Sequence, residues 1–218
     1  MDEGTQIIDL GFVNAFLVRA GEGYILIDSG MADQWDKLES ILLKTGCLPD
    51  RLKLVIATHG DVDHTGNCAE LQQKYGARIA MHAGDAEMVK SGVGHKRHAN
   101  NLMAKLFLWL GSRMRMDVRC FQPDLLLEDG QSLAEYGWAA KVLHTPGHTP
   151  GSIAILCEDG QLFAGDTLSN RSKPGSAPLI ENDQELQASL ALLKQTNARI
   201  VYPGHGKPFP FEALAAIK

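Results

Sequence analysis

Two imidazoles and two carboxylates stand within six residues in the segment Thr58-His59-Gly60-Asp61-Val62-Asp63-His64-Thr65-Gly66-Asn67. Crowding such groups is unfavourable unless a cation joins them, and positions i, i+2, i+4 and i+5 place four metal-competent side chains in one turn. Three later segments repeat the plan of an apolar run followed by a competent side chain. They are His144-Thr-Pro-Gly-His148-Thr-Pro-Gly-Ser152, Leu162-Phe-Ala-Gly-Asp166-Thr167 and Ile200-Val-Tyr-Pro-Gly-His205-Gly206. The glycines before Asp166 and His205 permit sharp turns that aim the side chain inward. Carboxylates and imidazoles in this mixture suit a divalent ion that polarises a substrate and lowers the pKa of water. The remaining histidines weigh less. His82 ends an apolar run and reads as a supporting group, His144 as a minor candidate ligand, and His95 and His98 as solvated.

The positioning elements follow from the apolar pattern. Short apolar runs at 23–30, 52–58, 78–82, 140–143, 152–157, 161–163 and 199–202 predict strands. Trp35, Leu38, Ile41 and Leu42 recur at helical spacing, and Asn67 and Asn182 each precede a glutamate by three residues, the signature of a reciprocal N-terminal cap. Strands mixed with helices and no compositional break predict one α/β domain over 1–218. In such sheets ligands gather beyond the carboxyl ends of strands, so the four clusters can converge.

Residues 83–119 differ from the rest. They read as a helical insertion containing Leu102-Met-Ala-Lys-Leu-Phe-Leu-Trp-Leu110, apolar almost all round. Seven basic residues and one acid between Lys90 and Arg119 give +6 locally, leaving −11 for the remainder. Four of the seven methionines fall in 88–116, and methionine adapts to irregular apolar groups. A mobile lid selecting an anionic substrate with an apolar part is one reading; a homodimer contact uses the same apolar face.

The chain has 218 residues, 44% hydrophobic and 22% charged, enough for one sizeable domain and too few for two catalytic ones. A net charge of −5 argues against a general nucleic-acid face. No apolar stretch has the roughly 18 residues of a membrane span, and the acidic start Met1-Asp2-Glu3 is the wrong sign for a secretory leader. Cys47, Cys68, Cys120 and Cys157 are scattered singly, which disfavours a disulfide framework or an all-cysteine zinc site and makes each a small buried hydrophobe. The expectation is a soluble cytoplasmic protein without nucleic-acid or membrane partners.

Taken in order, the motifs resemble those of the metallo-β-lactamase-fold hydrolase superfamily: His-x-His-x-Asp-His, then a histidine in a Thr-Pro-Gly-His-Thr turn, then Gly-Asp, then Gly-His. Asn14 and the turn Ile27-Asp28-Ser29-Gly30 match the family's opening hairpin, so the resemblance runs from Asn14 to Gly206. It implies an αββα sandwich, two mixed sheets back to back with helices outside. It also implies that His59, position 61 and His148 hold one metal ion, that Asp63, His64 and His205 hold a second, and that Asp166 bridges. The family usually has histidine where this chain has Asp61.

That departure has a physical meaning. Asp61, Asp63 and Asp166 with a bridging hydroxide carry four negative charges, which balance two divalent ions. A less positive centre lowers the pKa of bound water less. Zinc is the metal the family implies, while the extra oxygen ligand shifts preference toward iron or manganese. Asp is also shorter than His, which puts its reach in question. The expected activity is hydrolysis of an ester, thioester or lactone of a small molecule by a metal-bridged hydroxide, with Asp63 orienting that hydroxide and Asp166 joining the ions. Two other superfamily activities stay open: a mononuclear iron oxygenase of the persulfide-dioxygenase kind on His59, His148 and Asp166, and a nuclease.

Overall fold

The computed structural model describes residues 4–94, 98–99 and 117–217. Its strands form two main sheets, each of six strands. The first is built from β1 (Thr5–Asp9), β2 (Asn14–Ala20), β3 (Gly23–Ile27), β4 (Leu52–Ile56), β5 (Arg78–His82) and β7 (Leu125–Leu127). Its β1-β2-β3 meander is antiparallel, and β3, β4, β5 and β7 run parallel. The second contains β8 (Ala140–His144), β9 (Ile153–Cys157), β10 (Gln161–Asn170), β13 (Ile200–Gly206) and β14 (Phe209–Pro210), antiparallel except for the parallel pair β10 and β13. A short strand β11 (Gly175–Ser176) pairs with β10, while β6 (His98–Ala99) and β12 (Leu179–Ile180) pair with each other.

Alternation along each strand sends successive side chains to opposite faces, and here both faces are covered. Phe16, Val18, Ile25, Ile27, Leu54 and Ile56 from the first sheet meet Val142, Ile153, Ile155, Phe163 and Tyr202 from the second. The alternate residues Leu17, Leu26 and Val55 face α1 (Trp35–Lys44) and α3 (Cys68–Tyr75) through Trp35, Leu38, Leu42, Leu71 and Tyr75. On the far side Ala154, Leu156, Leu162 and Val201 pack under α5 (Asp183–Lys194) through Leu186, Leu190 and Leu193. Three apolar layers between helix, sheet, sheet and helix make the expected αββα sandwich. Among the described residues no helix is long and apolar enough to cross a membrane.

Several details differ from the sequence expectations. Of the stretch 83–119, α4 (Ala83–Ser91) is helical, His98–Ala99 is a strand and residues 92–94 and 117–119 are neither. The segment 100–116, with Leu102–Leu110, lies outside the described residues, as do His95, Lys96 and Arg97. Arg119, counted toward the basic face, pairs with Glu70 and, at 3.2 Å, with Asp117. Asn182 does cap α5, accepting from the Gln184 and Glu185 amides. Asn67 does not cap α3: its amide nitrogen donates to the Ser29 and Met31 carbonyls, tying the helix start to the turn after β3. Cys47, Cys68 and Cys157 are buried, and Cys120 is exposed, because its strandless segment runs along the surface.

Candidate metal centre

The loop after β4 carries His59 and Asp61, and the one-turn helix α2 (Val62–Thr65) carries Asp63 and His64. His148 sits in the loop between β8 and β9. Asp166 lies inside β10 rather than at the end of a short strand, and His205 lies inside β13. Both strands are interrupted where they reach the site, with register shifts on either side of Gly165. Gly165 takes φ +49° against Thr58. At Gly204 the constraint is space, not turn geometry: a Cβ would stand 2.4 Å from Asp166 Oδ1 and 2.7 Å from His64 Cε1.

All seven sequence-predicted residues meet at one point. Three interlocking groups have their ligand atoms within 4.8 Å of one another: His59, Asp61 and His148; Asp63, His64 and His205; and His59, His64 and Asp166. Asp61 does reach, its Oδ2 lying 3.3 Å from His59 Nε2 and 3.1 Å from His148 Nε2. Asp166 spans both halves, with Oδ1 3.3 Å from His64 Nε2 and Oδ2 3.1 Å from His205 Nε2 and 3.8 Å from His148 Nε2. Asp63 Oδ2 is 3.4 Å from His205 Nε2 and 3.9 Å from His64 Nε2.

Each of the four imidazoles is held by its other nitrogen. His64 Nδ1 faces Asp28 Oδ2 at 2.8 Å, His148 Nδ1 the Leu179 carbonyl at 2.6 Å, and His205 Nδ1 the Phe12 carbonyl at 2.7 Å. His59 Nδ1 lies 3.1 Å from the Thr58 hydroxyl, whose own proton is directed at Asp28. These acceptors fix the Nδ1–H tautomer and leave every Nε2 lone pair pointing into the centre, as metal-ligating histidines require. His59 Nε2, His64 Nε2 and Asp166 Oδ1 are buried without a hydrogen-bond partner. Orphaned buried acceptors are costly, so this donor set fits a metal ion.

The electrostatics agree. Burial works against a charged His64, but Asp28, Asp166 and Asp63 outweigh it and carry its pKa well above the usual range. His205 is likewise pushed up to about 10, against burial, by Asp166 and Asp63. Burial also opposes ionisation of Asp166 and Asp63, yet neighbouring imidazoles hold both carboxyls below their ordinary values. His59, desolvated and beside His64, is pushed down and stays neutral. The pocket favours ionised Asp63 and Asp166 and draws positive charge, from protons or from a cation.

Two supporting acids were given no role by the sequence reading. Asp28 is fully buried and, among the described residues, is the only non-glycine in the left-handed region, at φ 58°. It accepts from the Thr58 amide at 2.8 Å besides contacting His64. Asp85 is equally buried on α4. The Ile27–Gly30 turn flagged the first; no motif flags the second. His82 and His144 stay outside the centre, stacked on each other with ring centroids 3.9 Å apart. His98 is on the surface, 2.7 Å from Asp183.

Comparison with known proteins extends these observations. The model of the metallo-beta-lactamase superfamily matches residues 8–205. The chain is 28% identical to an acyl-coenzyme A thioesterase of Bos taurus, over 92% of this chain and 75% of that one. It is 32% identical to a hydroxyacylglutathione hydrolase of Shewanella pealeana, over 70% of this chain and 41% of the other. Among solved structures, a metallo-beta-lactamase family protein of Thermus thermophilus superposes with a TM-score of 0.74 at 24% identity, covering 98% of this chain and 77% of that one, a likeness of fold.

Proposed function

The chain belongs to the metallo-beta-lactamase superfamily, and from that premise we propose that it is a two-metal hydrolase that cleaves the thioester of a small anionic acyl carrier. His59, Asp61 and His148 would hold one divalent ion, Asp63, His64 and His205 the other, and Asp166 would join them. Bound there, the ions supply Lewis acidity toward a carbonyl and an ionised water near neutral pH. The observation that carries the reading is the convergence of four anchored imidazoles on three carboxylates, with three buried acceptor atoms otherwise without partners.

The chain's own groups do the rest. The Nδ1 anchors hold the imidazole planes still, so little reorganisation accompanies reaction. Asp63, beside His64 and His205, would orient the attacking hydroxide. Asp61 adds a negative charge beside His59 and His148, which moderates the acidity of the water. A thioester suits such a moderated centre, because a thiolate leaves without prior protonation, whereas an amide nitrogen does not. The names of the thioesterase and glutathione-thioester relatives support the same choice. Zinc is the ion expected from the family, and the Asp61 oxygen favours iron or manganese more than a histidine would.

Protein purified without chelator tests this reading by metal analysis and by initial rates on acyl-coenzyme A, a hydroxyacylglutathione, a neutral thioester, a lactone and an aryl ester. About two ions per chain and the highest kcat/KM on an anionic thioester are expected. A preference for the lactone or aryl ester would overturn the thioester assignment. One iron per chain with oxygen uptake would replace hydrolysis by the oxygenase reading.

A further inference from the structure

A buried carboxylate is unfavourable unless its oxygens are hydrogen-bonded, and the partners of Asp85 are informative. Its Oδ2 accepts from the Gly60 amide and from the Thr149 hydroxyl, each at 2.7 Å, and its Oδ1 from the Gly151 amide at 2.7 Å. Gly60 is the residue between His59 and Asp61, and Thr149 follows His148. One side chain on α4 therefore grips both loops that deliver the group His59, Asp61 and His148. The other group has different supports, since His64 leans on Asp28 and His205 on the Phe12 carbonyl.

The surrounding contact is close on both sides. A Cβ at Gly84 would lie 2.7 Å from Gly151 N and the Pro150 carbonyl, and one at Gly151 would lie 2.5 Å from Asp85 Cγ. Backbone thus meets backbone where α4 abuts the His148 loop. His82, whose Nδ1 accepts from the Gly84 amide, stacks on His144, and His144 Nε2 lies 2.9 Å from the Pro150 carbonyl.

We propose that Asp85 is a positioning residue for one half of the centre: it sets the separation of the His59–Asp61 loop from the His148 loop, so that this half takes a metal ion while the other half depends on it little. The inference rests on the two-metal reading above. It assigns Asp85 no contact with ion or substrate. An amide at position 85 keeps the shape but exchanges one acceptor for a donor facing N–H or O–H groups, so at least one loop is released.

The test uses Zn²⁺ alone, with metal per chain measured after dialysis against a graded chelator and the fold checked by circular dichroism. Asp85→Asn should lose about one equivalent at chelator levels that leave the parent full, its affinity falling roughly 10- to 100-fold, the range for residues that orient ligands. Combining it with His148→Ala should add nothing to His148→Ala alone, whereas combining it with His205→Ala should empty the protein. Thr149→Val, which deletes one donor and spares the carboxylate, should weaken the same half by a smaller factor, and it carries the test if Asp85→Asn does not fold. Parental affinity in both single variants, or equal loss from both halves, would overturn the positioning role. A parent that takes up no zinc would instead overturn the metal reading itself, and this inference with it.

Discussion

At the scale of single residues, the informative position is 61, where a carboxylate stands 3.1 Å from His148 Nε2 and 3.3 Å from His59 Nε2. Asp61→His removes one negative charge from a half-site built of His59 and His148. Zinc should then be preferred over manganese or iron, and the acidic limb of the pH–rate profile should move to lower pH, because a more positive site acidifies water further. An unmoved limb with unchanged metal content would make Asp61 a turn residue. All seven converging side chains were legible in the sequence, because four crowd into residues 59–64 and each of the other three follows an apolar run and a glycine. Asp28 and Thr58 lie in segments that the sequence singled out and Asp85 does not, but none was assigned a role, because a supporting group shows itself only once its distant partner is known. The Phe12 and Leu179 carbonyls that hold His205 and His148 were illegible in principle, since every residue has a carbonyl.

At the scale of elements, the junction of β3, β4 and α2 bears the centre, and Asp28 is its common point. Asn tolerates the left-handed region, so Asp28→Asn keeps the backbone and changes only charge and hydrogen bonding. Because charge-assisted bonds contribute about 1.5–3 kcal/mol, urea unfolding should show a loss of about that size, together with weaker metal retention through a mispositioned His64. Unchanged stability would reduce Asp28 to a backbone role. Buried strands such as β4 and β5 were legible as apolar runs. β10 and β13 are longer than their apolar runs, because the candidate ligands Asp166 and His205 interrupt the apolar pattern inside the strand. β2 was not among the predicted runs, and two-residue strands such as β6 and β12 have too few positions for any period. Asn67 shows the same limit, since a capping signature and a buried tether to Ser29 and Met31 look alike until the loop is placed.

At the scale of the whole molecule, net charge and local charge diverge: the chain carries −5 overall, yet the Arg171 cation stands on the Phe12–His205 side of the centre. β10 and β13 end side by side at Asn170 and Gly206, so Arg171 and Lys207 emerge together, with Lys173 close behind. The Arg171 guanidinium lies 4.3 Å from the Phe12 ring centroid, and that ring stands edge-on to His205 at 4.7 Å. Arg171→Glu should raise KM for an acyl-coenzyme A about tenfold with little change for a neutral thioester, and added salt should shrink the difference. Equal effects on both substrates would assign Arg171 to packing on Phe12. The same crowded side of the molecule also bounds its future. Position 204 admits no atom beyond the backbone, because Asp166 Oδ1 and His64 Cε1 already fill the space of a Cβ. Nineteen of the twenty amino acids carry that atom, so position 204 has a one-letter alphabet while position 61 can hold more than one, and a lineage exploring new metals or substrates can move through the second but not the first.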